Sequence, residues 1–231
     1  MAFQNGWRGP DIVSDGLVLY LDAGSPNSYK PVFGTTWRDI SGLNNSGSLI
    51  NGPTYDSANG GSIIFDGTND SATTTIVNNG TNNTTNTIWY KWNGINQTRV
   101  LSYLGSSGVI GMGLLVNDGS SAVAGNKISV LYGGSYFNAI DTGIISGSLV
   151  SNVYTQLTVT RDTTTTKLYQ DGVFLGSTTR TPNGNSSNLS FSLGDALFAA
   201  GSVSITMFYT RALTDSEILQ NYNAQKSRFG L

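Results

Sequence analysis

Residues 153–177, VYTQLTVTRDTTTTKLYQDGVFLGS, constrain the fold more than any other stretch of this chain. Val153, Thr155, Leu157 and Val159 alternate with Tyr154, Gln156, Thr158 and Thr160. That is the period of two that a strand shows when its faces meet different surroundings. Four threonines after Arg161-Asp162 lead into Lys167-Leu-Tyr-Gln170. Asp171-Gly172 is then a two-residue hairpin signal, because a type I′ turn needs positive φ at both central positions. This turn is expected to pair Leu168 with Leu175 on one face and Tyr169 with Phe174 on the other. Apolar side chains on both faces put the meander inside a sandwich, with neither side fully wet.

The rest of the chain repeats this theme. Gly16-LVLYLD22 is a short, almost wholly apolar run, expected as a central strand. Residues 24–61 are loop-rich, with a short strand around Ser48–Ile50. Ser62-IIFD66 follows, then 73–77, then an Asn/Thr loop at 78–86. In Thr87-IWYKW92, Ile88, Tyr90 and Trp92 share one face and Trp89 takes the other; Trp89 and Trp92 suit either stacking on a sugar or packing inside, with one of the two expected in the core. Further strands are expected at 99–104, 111–116, 127–132, 138–140, 189–193 and 202–209. Their spacing suits an all-β sandwich. One segment is helical: Thr214 and Glu217 form a capping box, and Leu213 and Ile218 a hydrophobic staple, opening a helix over 214–224. The expected organisation is an N-terminal arm at 1–15 and a single domain at 16–231.

Composition narrows the chemistry. The 231 residues include no cysteine and no histidine, which removes disulfides, thiolate metal sites and the usual neutral-pH base. Only 11% of residues are charged and the net charge is −2, so no basic stripe marks a nucleic-acid surface. No apolar run is long enough for a transmembrane helix, and the amino terminus lacks a signal-peptide core. Synthesis in a cytoplasm, with no membrane partner, is the expectation.

Glu217 is the only glutamate and belongs to the helix cap. Glycoside hydrolysis needs two carboxylates across the scissile bond, and no aspartate pair along a strand supplies them. Catalysis is therefore not expected. Calcium is the one cofactor whose ligands the loops offer, from Asp39 and Asn45 or from Asp66 and Asp70; the same residues suit turns that accept backbone hydrogen bonds. Tyr132, Tyr136, Phe137 and Asn138 interleave aromatics with an amide, as a sugar site does; the alternative is a hairpin whose Tyr132 and Phe137 pack into the core. Phe3 and Trp7 are either part of a frayed terminus or anchors on a neighbouring subunit.

Together, Gly16-LVLYLDAG, Trp37-RDISG, Gly61-SIIFDGTND, Tyr154-TQLTVTRD, Lys167-LYQDGVFLGS and Tyr209-TRALTDSEI resemble a laminin-G-like domain of the concanavalin A-like lectin/glucanase group. The resemblance covers about residues 16–224. The ends, GPDIVSDGLVLYLDAG and QNYNAQKSRFGL, are similar to a subset found in structural proteins of tailed bacteriophages. The resemblance implies a two-sheet antiparallel jelly roll and a non-enzymatic virion component, as capsid decoration, fibre or tail part. Phe3, Trp7, Arg228, Phe229 and Leu231 would then touch other virion proteins or further copies of the chain, and a host-surface glycan is the alternative ligand. The chain departs from the family pattern at Val203-Ser-Ile-Thr206, where an acidic residue is common, at Ser71, where an aromatic is common, and in lacking the glucanases' paired glutamates.

Overall fold

The computed structural model describes residues 11–78, 83–94, 98–104, 110–116, 126–133, 140–179, 189–193 and 199–231. Its strands are β1 (Leu17–Asp22), β2 (Thr36–Trp37), β3 (Gly47–Ile50), β4 (Thr54–Asp56), β5 (Ser62–Asp66), β6 (Ser71–Asn78), β7 (Thr84–Trp92) and β8 (Thr98–Leu104). They continue as β9 (Ile110–Val116), β10 (Ile128–Gly133), β11 (Ile140–Ser146), β12 (Tyr154–Arg161), β13 (Thr166–Gln170), β14 (Val173–Thr178), β15 (Leu189–Leu193) and β16 (Ala200–Tyr209). One helix, α1 (Asp215–Gln225), follows, with a 3₁₀ turn at Lys226–Phe229.

Two eight-stranded antiparallel sheets face each other. The first runs β14-β13-β12-β7-β16-β5-β4, with β1 also on β16; the second runs β11-β10-β9-β8-β15-β6-β3-β2. The chain passes back and forth between them, which makes the expected concanavalin A-like jelly roll. Between the sheets lies the main core, including Leu19, Leu21, Trp37, Ile63, Phe65, Ile88, Tyr90, Leu157, Val159 and Phe208. Trp89, Tyr154, Tyr169, Ile205, Met207 and Tyr209 point the other way and form a second core with Leu213 and Ile218. Helix α1 therefore makes a third layer on the outer face of the first sheet. The period of two on both faces of β7 and β12 has this cause: each face is covered by a different neighbour.

Several details differ from the sequence expectation. Tyr169 does pair with Phe174, but Leu168 sits opposite Gly176 rather than Leu175, because the register shifts between Leu168 and Tyr169. Leu175 still packs against the main core from a half-buried position. β1 is not central: among the described residues β16 is its one strand partner, and β16's same flank pairs with β5 further along. Trp89 and Trp92 are both buried, one in each core. Residues 11–15, expected in the arm, lie in the fold: Val13 N donates to Asn221 Oδ1 at 2.8 Å and Tyr209 Oη donates to Val13 O at 3.0 Å.

β16 carries the device that separates the two cores. Val203 faces the space between the sheets and Ile205 faces α1. Simple alternation would put both on one side, but a register shift between them inserts Ser204 as a bulge. At this bulge β1 ends and β5 begins, both against β16. Ala23 N donates to Ser204 O at 2.9 Å. Arg228, from the 3₁₀ turn, fills the junction. Its Nη1 donates to Asp22 Oδ1 at 2.5 Å, and its Nη2 reaches Gly60 O and Gly61 O at 2.9 Å and Ser204 Oγ at 2.7 Å. A methyl group at Gly24 would collide with Gly60 O and with the guanidinium itself.

The helix starts as its sequence dictates. Glu217 N donates to Thr214 Oγ1 at 3.3 Å and Thr214 N donates to Glu217 Oε2 at 2.8 Å, closing the capping box. Arg211 adds a bidentate pair to the same carboxylate, at 3.0 and 2.6 Å. Those guanidinium bonds, helped by the Thr214 donors, hold the Glu217 carboxyl down to about 2 from its ordinary 4.5. A depressed carboxyl contributes stability that is complete above its unfolded pKa and lost on acidification. Thermal melts should therefore lose stability as the pH falls from about 4.5 towards 2, and Glu217→Gln should flatten that limb. Replacing Arg228 by Ala removes the donors to Asp22, Ser204 Oγ and the Gly60 and Gly61 carbonyls, and should cost about 3 kcal/mol. That reads as a fall of roughly 6–12 °C in melting temperature. Arg228→Lys should recover only part, since an ammonium lacks the fork that spans these acceptors.

Candidate functional site

The outer face of the first sheet gathers the aromatic side chains. β7 and β12 lie side by side with Trp89 opposite Gln156 and Lys91 opposite Tyr154. Their alternation sends Trp89, Lys91, Tyr154 and Gln156 outward. The row through Tyr154 and Lys91 continues across Ser202, Ile64 and Thr54. The row through Trp89 lies beneath the C-terminal segment. Phe229 stands 4.2 Å from the Trp89 ring at an interplanar angle of 26°, and 4.6 Å from Tyr154. Tyr222 stacks on Trp89 at 5.7 Å.

Polar groups edge these rings. Trp89 Nε1 donates to Gln225 Oε1 at 2.7 Å, and Gln156 Nε2 donates to the same oxygen at 3.3 Å. Lys91 Nζ lies 5.1 Å from the Tyr154 ring centroid, within cation–π range. Burial pushes the Tyr154 phenol up; the charge of Asp56 adds to this, while Ser62 and Arg228 act against it. Four groups from β4, β5, β12 and the C-terminal turn thus meet at one place. Beyond Phe229, Lys91 and Ile64 are half-buried and Thr54 is exposed. Trp89 and Tyr154 themselves are buried, their rings meeting Tyr222 and Phe229.

The acidic candidates are occupied with turns. Asp39 Oδ1 accepts from Tyr20 N and Ser41 N at 2.8 Å, and its Oδ2 from Ser41 Oγ at 2.8 Å and Asn45 N at 2.9 Å. Asn45 Nδ2 donates to Val18 O at 2.7 Å. Asp66 Oδ1 accepts from Thr68 N at 2.7 Å and Asn69 N at 3.2 Å, and Asp70 Oδ2 accepts from Asp66 N at 3.0 Å. The Thr68 amide and its neighbours hold Asp66 below the usual carboxylate range, whereas burial, with Asp66's charge, pushes Asp70 up. Among the described residues no three His, Cys, Asp or Glu side chains gather as a metal ion would need. The two pairs are separate from each other, and each is engaged with backbone amides.

The predicted sugar residues are placed less fully. Tyr132 is on β10, while Tyr136, Phe137 and Asn138 lie outside the described residues, as do Phe3 and Trp7. Arg228 and Phe229, expected at a subunit contact, have partners within the chain itself, and Leu231 is about half exposed. That Trp89 shares a covered face with Tyr154 is not legible in the sequence, because a period of two cannot say what covers each face. The Gly60-Gly61 pair was the one local sign that something approaches the backbone there.

The fold has relatives among solved structures. A sialidase of Trypanosoma rangeli, in complex with the inhibitor DANA, superposes with a TM-score of 0.65 at 15% identity, over 94% of this chain and 34% of that one. The binding domain of botulinum neurotoxin serotype D gives 0.67 at 16% identity, over 92% and 53%. Domain 4 of an extracellular GH43 arabinanase from Geobacillus stearothermophilus, in complex with arabinotriose, gives 0.65 at 18% identity, over 89% and 98%. The chain thus spans about a third of the sialidase and about half of the toxin domain, but nearly all of the arabinanase domain. At these identities the likeness shows the fold. No curated protein sequence matches the chain. Residues 66–219 match the laminin-G-like family described as the Concanavalin A-like lectin/glucanases superfamily, and the chain belongs to that family.

Proposed function

We propose that this chain is a non-enzymatic glycan-binding module. The observation that carries the reading is the outer face of the first sheet, where half-buried Lys91 and Ile64 and exposed Thr54 continue the row from Tyr154, whose ring lies under Phe229. Proton transfer has no comparable support: the chain has no histidine, and its single glutamate is held by Thr214 and Arg211. The arabinanase domain solved with arabinotriose has the same fold and nearly the same extent, and favours a binding role over a catalytic one. A glycan array should give signal with wild-type protein, and Lys91→Ala should reduce it while leaving the melting temperature within about 1 °C, as for a surface change. If Tyr132→Ala abolishes the signal and Lys91→Ala does not, the site is the β10 face with Tyr136, Phe137 and Asn138. A blank array with and without calcium, or measurable glycan hydrolysis, overturns the reading.

We further propose that the module sits on the surface of a bacteriophage particle. The support is that the two segments similar to phage structural proteins are those that hold each other: Gln220 Nε2 donates to Asp11 O at 2.7 Å and Arg228 to Asp22. Residues 1–10 would then reach a neighbouring virion protein or copy through Phe3 and Trp7. Deleting residues 1–10 should abolish incorporation into particles without lowering the melting temperature; unchanged incorporation rules the arm out.

A further inference from the structure

The C-terminal turn covers a polar atom that it leaves unsatisfied. Gln156 Oε1, Tyr154 Oη and Ser62 Oγ are all buried on the outer face of the first sheet. Tyr154 Oη and Ser62 Oγ interact with each other, which leaves Gln156 Oε1, on the residue opposite Trp89, without a partner. A buried polar group without a partner is costly. Phe229 supplies a ring at 4.2 Å from Trp89 and 4.6 Å from Tyr154, but a phenyl ring offers nothing to that oxygen. A sugar ring in the same place would stack its C–H face on Trp89 and present a hydroxyl able to donate to Gln156 Oε1.

We propose that Trp89, Tyr154 and Gln156 form a latent sugar-ring subsite for which Phe229 is the built-in competitor, so that the C-terminal turn gates glycan binding. The subsite rests on the glycan-binding reading above and adds its location and its control. Arg228 anchors the turn: its hydrogen bonds fix it to β1, β16 and the Gly60-Gly61 corner, while the Phe229 side chain meets Trp89 and Tyr154 through its ring.

The test is titration of arabinotriose and of sialyllactose into wild-type protein, Phe229→Ala and Phe229→Ala/Gln156→Leu, followed by calorimetry and tryptophan emission. Removing the competing ring should tighten binding of at least one of the two sugars about three- to tenfold, the range of an aromatic stacking contact. Gln156→Leu should cancel that gain while leaving the double variant at least as stable as Phe229→Ala, since it removes an unsatisfied group. If wild-type protein and Phe229→Ala, both folded by near-ultraviolet dichroism, bind the sugars equally, the gate is wrong and the glycan-binding reading stands. If no variant binds either sugar although the array is positive, the subsite is wrong. If the array is blank as well, both readings fall. Should Phe229→Ala not fold, Phe229→Leu keeps the apolar volume without the ring and should show a smaller gain; no gain there overturns the gate.

Discussion

Arg228 holds together a place where the sheet has no continuous strand. β1 and β5 share one flank of β16, end to end, and Ala23-Gly24 meets Gly60-Gly61 between them. Such a junction leaves carbonyls pointing at each other and a carboxylate, Asp22, nearby. One guanidinium answers all of them, because its planar fork offers several donors in fixed directions. The glycines are there because the guanidinium and the opposite backbone occupy the space a side chain would need. The bulge at Ser204 belongs to the same unit, giving a side-chain oxygen to Arg228 Nη2 and a carbonyl to Ala23.

From this junction follows the layering of the molecule. The bulge turns Ile205, Met207 and Tyr209 away from the sandwich core, and α1 covers them. Asn221 and Gln220 then hold residues 11–13 alongside the helix. Both ends of the described chain are thus fastened to one face of the first sheet, and the row from Tyr154 to Thr54 passes from buried under Phe229 to exposed at Thr54. The second sheet closes the core from the other side. Ligand recognition on the first sheet is a matter of what lies along that row and of how firmly the C-terminal turn sits on its neighbours.

Legibility in the sequence followed the range of the interaction. The capping box, the staple, the Asp171-Gly172 turn and the two-faced strands depend on residues a few positions apart, and each was readable. The Leu168–Gly176 pairing was not, since one inserted residue in a hairpin leaves the alternation intact outside it. The edge position of β1 was not readable either: an apolar run looks the same whether a strand has one partner or two. Asp39, Asn45, Asp66 and Asp70 could be read as turn residues or as ligands, and only their hydrogen-bond partners separate these roles.

The sequence by itself determined that this is an all-β sandwich with one capped C-terminal helix and no histidine or thiol chemistry, because residue type, period and capping are local properties. Tertiary structure alone decided where the helix docks, which part of the first sheet's outer face is exposed, and that Arg228 and Phe229 turn inward. Those outcomes join residues as far apart as Asp22 and Arg228, or Trp89 and Phe229. Neither partner carries a local sign of the other, since such pairs exist only once the strands between them are paired and the sheet has twisted into place.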